Sequence, residues 1–344
     1  MASDDWQEQR EHLLGHRISE LGLEIRGSRV ERLVQQLYEE LDERGVRFRP
    51  PVYLSDQWGC PDDTPLIGVP FYLADPRLER IEAEMSMEIE GDDEAMRYLR
   101  HEAGHAFNYA FRLYEREEWQ ALFGSFGRPY RQRYRANPLS REHVRHILTW
   151  YAQKHPDEDF AETFAVWLTP GSDWRREYGG WPALKKLEYV DAVMQEIADG
   201  EPATPMPSDD DLPVEAMQYS VAEHYEDDSE AIPIEDERQF DVDLKQIFVR
   251  KGDAPAGEPA PEFLARHYRE IVRRVAYWTS EHPSVVRSLI DVLRRRTDAL
   301  GLRVGALEAA TLIELTAFST AVVMLYRHTR VIGRARSGRV GAAQ

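Results

Sequence analysis

The sequence predicts an α+β fold: a helix-rich chain with a small mixed or antiparallel sheet, followed by a helical C-terminal region. Three observations carry this. Apolar residues recur at helical spacing at both ends of the first half, short apolar runs lie between them among turn residues, and helical patterning returns after residue 261. Ser28 followed by Glu31 is a capping-box pattern, and Val30, Leu33, Val34, Leu37 and Leu41 then share one face, which predicts a helix over 28–44. Val46 to Leu54 and Leu66 to Leu73 read as short strands across a loop containing Asp56, Gly59, Pro61, Asp62 and Asp63, with Pro70 confining the second to a sheet edge. Ile81, Ala83, Met85, Met87 and Ile89 alternate with Glu82, Glu84, Ser86, Glu88 and Glu90, a period of two that predicts a third strand. Gly91, Asp92 and Asp93 then open a long helix to about Glu117, and helices are expected near 262–279, 284–300 and 305–328.

The 344 residues, 42% of them apolar, suffice for one large or two ordinary domains. A formal charge of -19 argues against general binding to nucleic acid or anionic lipid while leaving room for a local basic patch. The single cysteine, Cys60, excludes an internal disulfide framework and a multi-cysteine zinc ribbon. The first residues lack a signal-peptide core, and Val304 to Tyr326 is interrupted by Glu308 and Glu314, so a packed helix, no membrane partner and a cytoplasmic location are expected. Residues 201 to 243 hold 15 acidic side chains and one basic one, Arg238, mixed with proline. This divides the chain into a domain at 1–200, an acidic, disordered or loosely docked linker within 201–260, and a small helical domain at 261–344 that can pack on the first domain, dimerise or bind a protein partner.

The chemistry lies in Tyr98 to Phe107, YLRHEAGHAF. Residues four apart share a helix face, so His101 and His105 can direct both imidazoles at one tetrahedral zinc ion, with Glu102 beside a water on that ion. Zinc brings the pKa of such a water down to about 7, and an adjacent carboxylate can take its proton as it attacks a carbonyl. An open catalytic site needs a third protein ligand. Asn108 and Phe111 stand where a metzincin has glycine and histidine, which excludes that class. The best candidate is Glu162 in HPDEDFAETFAVWL, on the apolar helix face made by Phe160, Ala161, Phe164, Ala165 and Leu168; His143, His146 and His155 compete. Asp159 or Glu158 is expected to accept the second ring N–H of a ligand histidine.

HEAGH, followed by EDFAETFAVWL and WPALKKLEYV, together with PFYLADPRL, resembles a bacterial family of zinc-binding metallopeptidases over roughly residues 18–200. The FAE signature is also similar to the third-ligand helix of lethal-factor and Pro-Pro endopeptidase proteins. The resemblance implies a zincin fold of the gluzincin type, with His101, His105 and Glu162 as ligands and Glu102 as general base. The cysteine-rich ribbon of some relatives is absent. Lethal-factor-like peptidases place an oxyanion-binding tyrosine seven residues before the third ligand; His155 stands at that interval here, with Tyr151 in reserve.

The expected function is therefore hydrolysis of a peptide or protein substrate by a zinc-activated water with Glu102 as general base. The alternatives are a zinc amidase or isopeptidase acting on a modified product, and a partner-binding protein with a structural metal. Six arginines between Arg128 and Arg145, interleaved with Tyr130 and Tyr134, can wall the cleft against a substrate carboxylate, and the acidic segment 201–243 can fold over that wall. The Leu66 to Leu73 strand is the candidate edge for an extended substrate.

Overall fold

The computed structural model describes residues 2–85, 90–131, 134–205, 212–226, 234, 236–250, 252, 257–279 and 281–329. They fall into two compact units, Met1–Asp227 and Asp228–Gln344.

The first unit is helix-dominated around a minimal sheet, an α+β fold. Its helices are α1 (Ala2–Gly15), α2 (Arg29–Glu43), α3 (Pro76–Met85), α4 (Asp92–Ala110), α5 (Glu117–Phe123), α6 (Pro156–Leu168), α7 (Trp174–Glu177), α8 (Ala183–Glu196) and α9 (Val221–Glu226). The strands β1 (Val52–Ser55) and β2 (Ile67–Pro70) pair in parallel, Val52 opposite Ile67. On β2, Gly68 also exchanges two backbone hydrogen bonds with Gly59, at 2.7 and 3.2 Å, which adds an antiparallel bridge. The expected edge role of Leu66 to Leu73 is thereby displaced: β2 is buried throughout, with β1 as one neighbour and the Gly59 segment bridged to it.

Helix α2 starts as expected, with Ser28 accepting from the Val30 N–H at 3.1 Å. The strand expected from 81 to 90 is instead helix over its described part, α3; residues 86–89 lie outside the described residues. The alternation was overridden by local signals at the start of the segment. Asp75 accepts from the Arg77 N–H at 2.8 Å, Pro76 sets the first helical φ, and Leu78 and Ile81 bury one face three residues apart. Three acidic residues, Asp92, Asp93 and Glu94, occupy the first turn of α4, where the helix dipole favours them, and from Leu99 to Ala110 every residue is buried.

Helix α6 packs along α4, and the glycine of HEAGH permits it. A Cβ on Gly104 would lie 2.7 Å from the Ala161 Cα. Buried Arg100 makes a two-pronged ion pair with Glu40 on α2, at 2.7 and 2.6 Å, which fixes α4 from its other side.

The unit also takes in part of the segment expected as linker. Val214, Met217 and Val221 belong to its core, and Ile18 and Ser19 donate backbone hydrogen bonds to Tyr219 and Met217 at 3.1 Å each. The described part, 212–226, is thus docked through β-type hydrogen bonds near Ile18; the acidic runs within 206–211 and 227–233 lie outside the described residues.

In the second unit, α10 (Asp241–Ile247), α11 (Ala260–Arg266), α12 (Tyr268–Thr279), α13 (Pro283–Ala299) and α14 (Glu308–Thr329) surround the two-residue antiparallel strands β3 (Val249–Arg250) and β4 (Leu302–Arg303). The three expected C-terminal helices are present, the first divided at His267. By length and composition α14 is apolar enough to cross a membrane, and it buries Leu315, Ser319, Val322, Val323 and Tyr326 within the chain.

Candidate metal centre

Two helices supply the site. His101, Glu102 and His105 come from the middle of α4, and α6 presents its acidic first turn to them. The start of α6 follows from sequence: His155 caps it, Pro156 takes the first helical position, and Asp157, Glu158 and Asp159 gain from the positive end of the helix dipole.

The imidazole Nε2 atoms of His101 and His105 converge to 3.1 Å, and Oε2 of Glu158 lies 3.0 and 3.2 Å from them. Ligand atoms around a tetrahedral zinc, with bonds of about 2.0 to 2.1 Å, stand about 3.3 Å apart. Among the described residues, His101, His105 and Glu158, all buried, form a group of side chains that can hold a metal ion.

Glu162, expected as third ligand, lies one turn further along α6. Its Oε1 is 2.9 Å from Nδ1 of His101, on the side away from the converging nitrogens, and its Oε2 accepts from the Ile147 N–H at 2.9 Å. A carboxylate engaged in this way orients a ligand histidine. Asp157 stands in the matching place for His105, its Oδ2 2.9 Å from Nδ1, and is itself held by Asn108 at 2.7 Å and Tyr109 at 2.6 Å. Asp159, the expected acceptor of a histidine N–H, points elsewhere and pairs with Lys186 at 2.6 Å. Burial and the competing Lys186 leave its carboxyl at about 7.

His155 is also placed differently from the expectation. Its Nδ1 accepts the Asp157 N–H at 3.2 Å, so Nε2 carries the proton and faces the Arg128 carbonyl at 2.7 Å. With both nitrogens engaged it is a helix cap and offers the site no donor. His146 faces the Arg97 carbonyl at 3.0 Å, and His143 lies 3.7 Å from Asp159, so neither joins the ligand cluster.

Tyr151 does face the cluster, its ring 5.6 Å from that of His101 and its hydroxyl accepting from Lys154 at 2.9 Å. The preceding Thr149 and Trp150 both adopt left-handed backbone, with φ of 73° and 56°. Such residues cost about 1 to 2 kcal/mol each, and strain of this kind concentrates where a side chain must be aimed. Tyr130 donates its hydroxyl to Oε1 of Glu158, the oxygen not turned toward the histidines.

The electrostatics favour a divalent cation. Burial lowers the His101 imidazole, but Glu158 and Glu162 more than reverse this, to about 9; His105 is likewise held well above its usual range despite burial, by Asp157 and Glu158. Burial raises Glu158, and its hydrogen bonds to the two histidines carry it well below the ordinary carboxylate range. The carboxylates thus favour positive charge where the nitrogens converge. The donor set, one carboxylate and two imidazoles, suits zinc.

A cleft of about 510 Å³ opens over the cluster, walled by Trp58, Cys60, Tyr109, Phe126, Arg128 and Tyr151, with Glu102 lining it. Burial pushes the Glu102 carboxyl up, offset by His101 and His105. Among the described residues no side chain hydrogen-bonds to it.

These residues form a buried cluster of two histidines and one carboxylate on a helix pair, open to a cleft, that can hold a metal ion. The family described as "Putative zinc-binding metallo-peptidase" matches residues 77–171, from the start of α3 to just past the end of α6, and so contains every donor named above. No curated protein and no solved structure matches the chain.

Proposed function

We propose that the first unit is a zinc-dependent peptidase in which His101, His105 and Glu158 hold the metal and Glu102 is the general base. The observation that carries this is Glu102: a carboxylate beside the donor cluster, facing a cleft and lacking any described hydrogen-bond partner. A structural metal site closed by protein ligands has no use for such a group. Zinc bound there supplies Lewis acidity, polarising a carbonyl and acidifying water.

The chain's own residues account for the remaining steps. Glu102, with its carboxyl raised by burial, accepts the proton of the attacking water and returns it to the leaving amine. The Tyr151 hydroxyl, fixed by Lys154, donates to the oxyanion, the role that His155 is prevented from taking by its capping bonds. Glu162 keeps the His101 imidazole in register through the hydrogen bond at its Nδ1, and Asp157 sets its charge beside Nδ1 of His105. The Trp58–Cys60 segment forms a wall of the cleft while Gly59 spends its backbone groups on Gly68, which leaves Trp58 and Cys60 as the positions where an extended peptide can pair. Arg128 at the same cleft suits a substrate carboxylate.

The test is cleavage of a proteome-derived peptide library by the zinc-loaded chain and by Glu102→Gln. Gln preserves size and touches no ligand, so zinc content should persist while Glu102-dependent products fall by at least about 10²-fold. Zinc at full occupancy with no Glu102-dependent product would favour the reading as a binding protein with a structural metal.

A further inference from the structure

The second unit lies outside the family match, and its surface carries a feature that the metal site does not explain. Helices α12 and α14 run side by side in the same direction. His267, just before α12, lies 3.4 Å from Glu308 at the start of α14, and Arg327 near the end of α14 donates to the carbonyl of Thr279, the last residue of α12.

The outer faces of this pair differ in chemistry. On α14 only 33% of the most apolar stretch is buried, and Ala310, Ile313, Ala317, Ala321 and Leu325 are exposed, Ile313 by 70%. At the far end of α12, Trp278 is 57% exposed. On α12 the exposed residues Arg269, Arg273 and Arg274 have no carboxylate partner among the described residues. The nearby acids are engaged, Glu270 with His267 and Glu308 with Arg266, which leaves Glu314 as the remaining exposed acid of α14. In sequence, the chain continues past Thr329 with Arg330, Arg334, Arg336 and Arg339 and no acidic residue.

We propose that the α12–α14 pair is a docking surface for an anionic lipid bilayer, with the exposed face of α14 and Trp278 lying in the interface and the unpaired arginines on phosphate headgroups. Charge complementarity selects this occupant. Residues 261–344 hold 14 basic and 7 acidic side chains within a chain of net charge -19, so this end is cationic while the chain as a whole is acidic. A second copy meeting the same face isologously would set arginine against arginine. Nucleic acid would use the arginines but not Ile313, Leu325 or the tryptophan, a residue favoured at membrane–water boundaries. The buried line along α14 means that it lies in the interface and does not span it. This inference is independent of the metal centre.

The test is sedimentation of the full chain with phosphatidylcholine vesicles, with and without phosphatidylglycerol, across a salt series. Binding should require phosphatidylglycerol and weaken with salt. Reversing Ile313 and Leu325 together (Ile313→Glu, Leu325→Glu) should reduce partitioning at least about tenfold, and replacing Arg269, Arg273 and Arg274 by Ala should reduce it on the order of a hundredfold at low salt. These are surface positions, and an unchanged circular dichroism melt confirms that the variants fold. Absence of binding to phosphatidylglycerol vesicles at low salt would overturn the proposal. So would binding indifferent to the Ile313 and Leu325 changes, salt-sensitive binding to nucleic acid in place of vesicles, or a dimer in solution that those two changes dissolve.

Discussion

Substituting Gly104 by alanine tests whether the approach of α4 and α6 sets the metal centre. The added Cβ would sit 2.7 Å from the Cα of Ala161 and 3.0 Å from its carbonyl oxygen, where ordinary contact is about 3.5 to 4.0 Å. The helices must then part by about 1 Å, and overpacking of this kind costs about 1 to 3 kcal/mol. For a domain of this size that lowers Tm by about 2 to 12 °C. The metal should respond more sharply, because the donors are divided between the helices: two imidazoles on α4, one carboxylate on α6. Metal–ligand distances hold within about 0.2 Å, so zinc affinity should fall by about 10- to 100-fold, as when an orienting partner of a ligand is lost. The assays are thermal denaturation with zinc and with chelator, and competition against a chromogenic chelator. Ala161→Gly should not rescue Gly104→Ala, since the obstacle is the backbone of residue 161 and not its methyl. Wild-type Tm and wild-type zinc affinity in Gly104→Ala would refute the reasoning.

Two further outcomes follow from the site and the core. Tyr151→Phe should keep zinc and lower turnover by about 10² to 10³, with KM little changed, whereas His155→Asn, which preserves a capping acceptor, should leave turnover within a few-fold; a turnover loss confined to His155→Asn would return the oxyanion role to the histidine. A chain ending at residue 200 loses Val214, Met217 and Val221 from the core, about 1.5 to 3 kcal/mol each as an upper estimate, and should be markedly less stable than one ending at 226 in urea denaturation; equal midpoints would show that this segment adds nothing.

Much of the site is legible in the chain because local rules dictate it. HEAGH places two imidazoles on one face of any helix, and Ser28, Gly91 and Pro156 mark helix starts that packing leaves intact. Which of Glu158 and Glu162 stands nearest the converging nitrogens is not legible in the chain, because they are four apart and share a face, so periodicity cannot separate them. That is decided by depth: Glu162 is level with Nδ1 of His101, and Glu158 with the two Nε2 atoms. Asp157 had a visible signal, a carboxylate in the first turn beside the site, but its pairing with His105 depends on the α4–α6 approach and thus on Gly104. Tyr130, Trp58 and Lys154 reach the site from loops whose course no period encodes. The described part of the expected strand, residues 81–85, shows the converse, an alternation overruled by the cap at Asp75 and by Pro76.

The most direct measurement is zinc stoichiometry and affinity, by elemental analysis and chelator competition, in Glu158→Ala beside Glu162→Ala. Glu158→Ala removes a donor and should leave the purified chain with little zinc. Glu162→Ala removes an orienting partner of His101 and should retain about one zinc per chain, with affinity reduced by about 10- to 100-fold. Full zinc in Glu158→Ala together with loss of zinc in Glu162→Ala would contradict the account and make Glu162 the third ligand.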